Sequence, residues 1–164
     1  MTLEKILGFR LPYISDGNGT QNSLVLGRQN MRVDEPAFKK WFDGSKVVDA
    51  NGNPMIVYHG SNSKIAVFDA SISKSGFWFS QDSNDANGYG IETTSTYLSI
   101  KNPAYFVRTN GDDGLNAAMA SARKSGHDGL IVTAPEKGDA SGMYWTTNYV
   151  AFDPAQIRLA PDIY

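Results

Sequence analysis

The chain has 164 residues, 41% hydrophobic and 20% charged, with no cysteine and a formal net charge of −2. That length allows one domain with a core that needs no staples, and the balance excludes a disordered or fibrous chain. The near-neutral charge leaves no basic footprint for nucleic acid, and the missing cysteines exclude disulfides, thiolate catalysis and cysteine zinc sites.

Residues 1–33 mix Gly17, Asn18, Gly19, Asn22 and Asn30 with scattered apolar residues, so an irregular arm is expected there and a single folded domain over 34–164. Asp34-Glu35-Pro36 resembles a helix start, with Asp34 as N-cap and proline in the first turn. Phe38, Trp41 and Phe42 follow at helical spacing and predict a short helix packed on the core. Lys46 to Asp49, Asn51-Gly52 and Met55 to Tyr58 read as a hairpin, because Asn-Gly accepts positive φ. The strand so formed ends by delivering His59 and Gly60.

Gly76-Phe77-Trp78-Phe79 is a short aromatic strand, and Ser83 to Gly88 predicts one helical turn that throws Tyr89 forward. Thr94 to Ile100 alternates Ser95, Tyr97 and Ser99 against Thr96, Leu98 and Ile100, the pattern of a half-buried strand. Leu115 to Lys124 is alanine-rich and helical, with Gly126 placed to stop it. Leu130 to Val132 and Tyr149 to Phe152 are further strands, joined by a loop over 134–142. Strands and helices do not alternate regularly, which favours an α+β sheet structure over a βαβ parallel one.

No dinucleotide, P-loop or serine-elbow motif is present, and two histidines, His59 and His127, are too few for a multi-histidine metal site. His59 ends an apolar strand and is followed by Gly60 and Ser61. A satisfied edge histidine reads the same way. An imidazole can also bond a ribose hydroxyl, while a glycine lets backbone groups approach a flat carboxamide. Trp78 and Tyr89 are either core or ligand platforms, and glycines at 76, 88 and 90 favour space beside a ring in which a pyridinium could stack.

Four strings occur in one order: His59-Gly60-Ser61, Gly76-Phe77-Trp78-Phe79, Ala86-Asn87-Gly88-Tyr89, and Asn148-Tyr149-Val150-Ala151-Phe152-Asp153-Pro154-Ala155-Gln156-Ile157. Together, over roughly residues 45–158, the chain is similar to the diphtheria-toxin and poly(ADP-ribose)-polymerase branch of ADP-ribosyltransferases. It most resembles the small versions in phage polyvalent proteins and bacterial effectors. Trp78 and Tyr89 keep the family's eleven-residue interval between ring residues. The resemblance implies a split β-sandwich of the α+β class around an NAD cleft, with NAD as substrate, no metal, and transfer of one ADP-ribose to a macromolecular, expected protein, target.

By the same resemblance His59 holds the adenosine ribose, Gly60 clamps the nicotinamide amide beside Ser61, and Tyr89 stacks on the ring opposite Trp78. Three positions depart from the family pattern. Trp78 replaces a tyrosine, and Ala86 stands where a serine bonds the carboxamide. Asn148 stands where a glutamate opens the late strand and stabilises the cation formed as nicotinamide leaves. Asparagine accepts a hydrogen bond but carries no charge. Glu136 and Asp139 in the preceding loop are the substitutes considered, and that loop is a candidate target-recognition element. The other reading of these departures is a catalytically silent module of the same fold that binds NAD or ADP-ribose or serves as an interaction module. No apolar run reaches the roughly 18 residues of a membrane helix, and the first eight residues lack a signal-peptide core. A cytoplasm, the cell's own or a host's, is the expected location.

Overall fold

The computed structural model describes residues 32–109, 114–137 and 143–161. Among the described residues three α-helices, α1 (Pro36–Phe42), α2 (Ser83–Asn87) and α3 (Leu115–Lys124), accompany strands β1 (Val57–Ser61), β2 (Phe77–Ser80), β3 (Glu92–Leu98), β4 (Pro103–Val107), β5 (Gly129–Lys137), β6 (Met143–Ala151) and β7 (Ile157–Leu159). The arm expected over residues 1–33 lies outside the described residues as far as position 31. Among the described residues no helix is long and apolar enough to cross a membrane.

The strands hydrogen-bond in one order, β4-β5-β6-β2-β1-β3-β7. This differs from two separately ordered antiparallel sheets, because β4 and β5 run parallel. A parallel pair needs a crossover, and α3 supplies it between them. The sheet nevertheless has a seam. β2 pairs with β6 over four residues and β1 with β3 over five, but β1 meets β2 only at Tyr58 and Ser80.

Side chains alternate faces along each strand, and that alternation builds three apolar clusters. Val57, Phe77, Phe79, Leu98, Ile131 and Tyr149 form one, drawn from both sides of the seam. The neighbours Leu130, Val132 and Val150 turn to the other face, where Met119 and Ala122 of α3 cover them. Tyr97 likewise turns away from Leu98 and meets Phe38 and Phe42 of α1. Removing a side chain such as Phe79 or Leu98 from water contributes at most about 1.5–3 kcal/mol each.

Several local expectations shift by a few residues, each for a visible reason. Glu35, not Asp34, is the N-cap of α1, and its side chain makes no capping bond; Pro36 occupies the first turn as its fixed φ favours. Asp34 instead pairs with Arg32 at 3.2 Å on the surface. The hairpin shrinks to a single bridge between Val48 and Pro54. Within that loop only Gly52 takes positive φ, so Asn51-Gly52 does not form the turn with two positive φ values that the pair suggests, and the loop is held by the Asp49 carboxylate accepting from Asn51 and Asn53 N–H. At the end of α3, Gly126 at φ 78° lets its own N–H and that of His127 bond the carbonyls of Arg123 and Ala122, a Schellman stop. The loop expected over 134–142 is shorter, because β5 and β6 pair as far as Lys137 and Met143. Residues 138–142, including Asp139, lie outside the described residues.

Candidate functional site

The seam between β1 and β2 positions the histidine. His59 does not end its strand; β1 runs on through Ser61, and His59 pairs with Thr94 of β3. Its Nδ1 lies 2.7 Å from the carbonyl oxygen of Trp78. A carbonyl only accepts, so Nδ1 is the donor here, and in a neutral imidazole that leaves Nε2 as an acceptor. The rings of Phe68 and Phe79, 5.2 and 5.4 Å away, hold the imidazole plane.

His59, Gly60, Trp78, Ala86, Tyr89 and Asn148 line a single cleft of about 440 Å³, together with Tyr58, Asp85, Arg108 and Leu115. The four strings singled out in the sequence therefore converge, joined by Arg108 and Leu115. Trp78 opposes Val150 across the β2–β6 pair, and Ser80 opposes Asn148, so Trp78 and Asn148 share one face of the sheet. Trp78 is half-buried and packs against the cluster under α3. Tyr89 is 70% exposed at the rim, just after α2.

The glycines have a different use from the one their sequence positions suggest. A Cβ on Gly60 would lie 1.9 Å from the carbonyl oxygen of Ala86, and one on Gly90 would lie 2.2 Å from the Ser61 carbonyl. Both let the α2 segment press directly onto β1. Gly60 thus faces the cleft, but its missing side chain is required by the protein's own packing. Ser61 does not line the cleft, because its Oγ turns to donate to the Ser63 carbonyl at 2.6 Å.

Asn148 does not open its strand either. β6 begins at Met143, and Asn148 sits well inside it, opposite Val132 on one side and Ser80 on the other. Its Nδ2 donates to Oδ2 of Asp85 at 3.3 Å. A carboxylate only accepts, so the amide nitrogen must face Asp85 and the amide oxygen is turned away from it. Glu136, paired with Tyr144, lies four positions beyond Val132, roughly 13 Å along the strand. Asp85 and Arg108 were missed in the sequence reading. An aspartate at the third position of a helical turn and an arginine after a strand carry no distinguishing local signal.

Residues 49–117 match the family model described as ADP-ribosyltransferase in polyvalent proteins. This stretch of the chain is ADP-ribosyltransferase-like, of the polyvalent-protein kind. It holds His59, Gly60, Trp78, Asp85 and Tyr89, spans somewhat under half of the chain, and stops before Asn148. The mixed α+β architecture is consistent with that family's fold, and the match supports a transferase role. An anti-CRISPR protein of solved structure is similar to this chain with a TM-score of 0.40 at 10% identity, over 64% of this chain and 94% of its own. No curated protein matches the chain.

Proposed function

We propose that the protein is an NAD-dependent mono-ADP-ribosyltransferase acting on a protein target. The observation that carries this reading is the convergence of His59, Trp78, Tyr89 and Asn148 on one cleft. A cleft of about 440 Å³ is within the roughly 300–1,000 Å³ that small-molecule sites occupy. In this reading Nε2 of His59 accepts from a ribose hydroxyl, and the backbone of Gly60 holds the carboxamide. Trp78 and Tyr89 offer π-faces to the pyridinium. In this reading the seam at Tyr58–Ser80 would correspond to the split of the family's sandwich, with the cluster around Phe79 between its halves.

Asn148 stands at the position of the family's glutamate and can still accept from the 2′-hydroxyl of the nicotinamide ribose. Loss of a preorganised charge of this kind costs about 10²–10³ in rate, so Asn148 by itself weakens the chemistry. Single transfer tolerates this better than chain extension, which needs the carboxylate to activate a ribose hydroxyl. Incubation with labelled NAD and lysate tests the reading: a labelled protein and released nicotinamide are expected. Absence of both, with no gain from Asn148→Glu, rejects it.

The second reading is a silent module that binds NAD or ADP-ribose and acts by occupancy. The three departures from the family pattern, Trp78, Ala86 and Asn148, favour it. NAD at 100 times its Kd would raise stability by about 2.7 kcal/mol in either case. Stabilisation without nicotinamide release identifies the silent module.

A further inference from the structure

We propose that Asp85 is the catalytic carboxylate of this cleft and that Asn148 is its positioning residue, so the charge absent from β6 is supplied from α2. The assignment rests on the transferase reading above and names the group that performs its central step. Asp85 is half-buried in the cleft wall and accepts from Nδ2 of Asn148, 63 residues away in sequence. It immediately precedes Ala86, whose carbonyl is pressed onto Gly60, and it lies four residues before Tyr89. Carboxylate, rim tyrosine and strand glycine are therefore held in register by one short segment.

A simpler use for a first-turn aspartate is to satisfy the start of its helix. In α2 that role is already filled by Asp82, whose carboxylate accepts from Asn84 N–H at 2.8 Å. A charge kept only for the helix end would point to water and would not require a partner on β6. Asn148 suits the positioning role because its amide can donate to the carboxylate while its own oxygen accepts from a hydroxyl.

In the step, the bond between C1′ of the ribose and N1 of nicotinamide breaks. Its electron pair goes to the ring nitrogen, and nicotinamide leaves neutral. The positive charge left on C1′ and the ring oxygen is stabilised by the Asp85 carboxylate. A lone pair of the target's oxygen or nitrogen then forms the new bond to C1′, and its proton passes to the carboxylate and on to water. NAD and the protonated acceptor thus give the ADP-ribosylated acceptor, nicotinamide and one proton.

The test measures nicotinamide release and NAD affinity on the full chain and on Asp85→Asn, Asn148→Ala and the exchanged pair Asp85→Asn with Asn148→Asp. Asp85→Asn should keep NAD affinity within about threefold and lower kcat by about 10²–10³. Asn148→Ala should lower kcat about tenfold, since the carboxylate is present but no longer held, and raise KM about threefold through loss of the bond to the ribose hydroxyl. The exchanged pair should recover at least tenfold over Asp85→Asn, which a purely structural role for Asn148 would not allow. Should Asp85→Asn fail to fold, Asp85→Ala provides the same measurement. Unchanged release by Asp85→Asn, from a wild type that releases nicotinamide, overturns this assignment and leaves the transferase reading standing. A wild type that binds NAD without release overturns both.

Discussion

Gly60→Ala isolates the contact on which the cleft geometry depends. The new Cβ would sit 1.9 Å from the Ala86 oxygen, 2.9 Å from its carbonyl carbon and 3.2 Å from Cβ of Tyr89. A carbon–oxygen contact is relaxed at about 3.3–3.6 Å, so the α2 turn would have to withdraw by roughly 1.5 Å. The obstacle is backbone, which cannot rotate aside as a long side chain can. Overpacking of this severity costs about 1–3 kcal/mol, which lowers Tm by about 3–10 °C in a chain of this size. The same withdrawal carries Asp85 and Tyr89 away from β1, so NAD affinity should fall at least tenfold. Gly88→Ala is the milder comparison: its φ of −66° suits alanine, and its tightest neighbour, the Asp85 carbonyl at 3.2 Å, has to give by only a few tenths of an ångström. It should change stability by no more than about 0.5 kcal/mol. Calorimetric melting and titration with NAD read both effects. A Gly60→Ala protein melting within 2 °C of wild type (about half a kilocalorie per mole at this size) and binding NAD equally well would refute the close-packing argument.

The two aromatic walls should separate stability from binding. Tyr89→Ala removes a ring that is 70% exposed, so Tm should hold while NAD affinity drops about five- to tenfold, the worth of one aromatic contact. Trp78→Ala removes a half-buried ring packed under α3 and should also cost about 2 kcal/mol; equal melting losses in the two variants would contradict this division. The Asp49 carboxylate is held below its ordinary value chiefly by the Asn53 N–H. A lowered acid contributes stability that is present above the unfolded carboxylate's range and lost as pH falls through the folded value. Asp49→Asn keeps an acceptor for the turn and should flatten the acid side of the Tm-against-pH curve, while an unchanged acid side would exclude the turn as its source.

Local chemistry decided a good deal of this protein in advance. The aromatic strand at Phe77–Ser80, the turn at Ser83–Asn87 and the helix at Leu115–Lys124 depend on near neighbours and could be read directly. So could the strings carrying His59, Trp78, Tyr89 and Asn148, because residue type and spacing are sequence properties. Strand β4 was not legible: Pro103 to Val107 is short, and its partner lies about 26 residues on, parallel to it through α3. Strand β7 was likewise invisible until its pairing with β3 was known.

What tertiary structure alone decided is which groups face one another. Gly60 looked like a place for a ligand, and the backbone of Ala86 fills the space instead. Asn148 looked like an isolated amide in its strand, and its Nδ2 donates to the carboxylate of Asp85, 63 residues away. Alternation along a strand says which residues share a face, but the register between distant segments says what that face meets. That register is set by long-range backbone hydrogen bonds and burial, which no local pattern of residues contains.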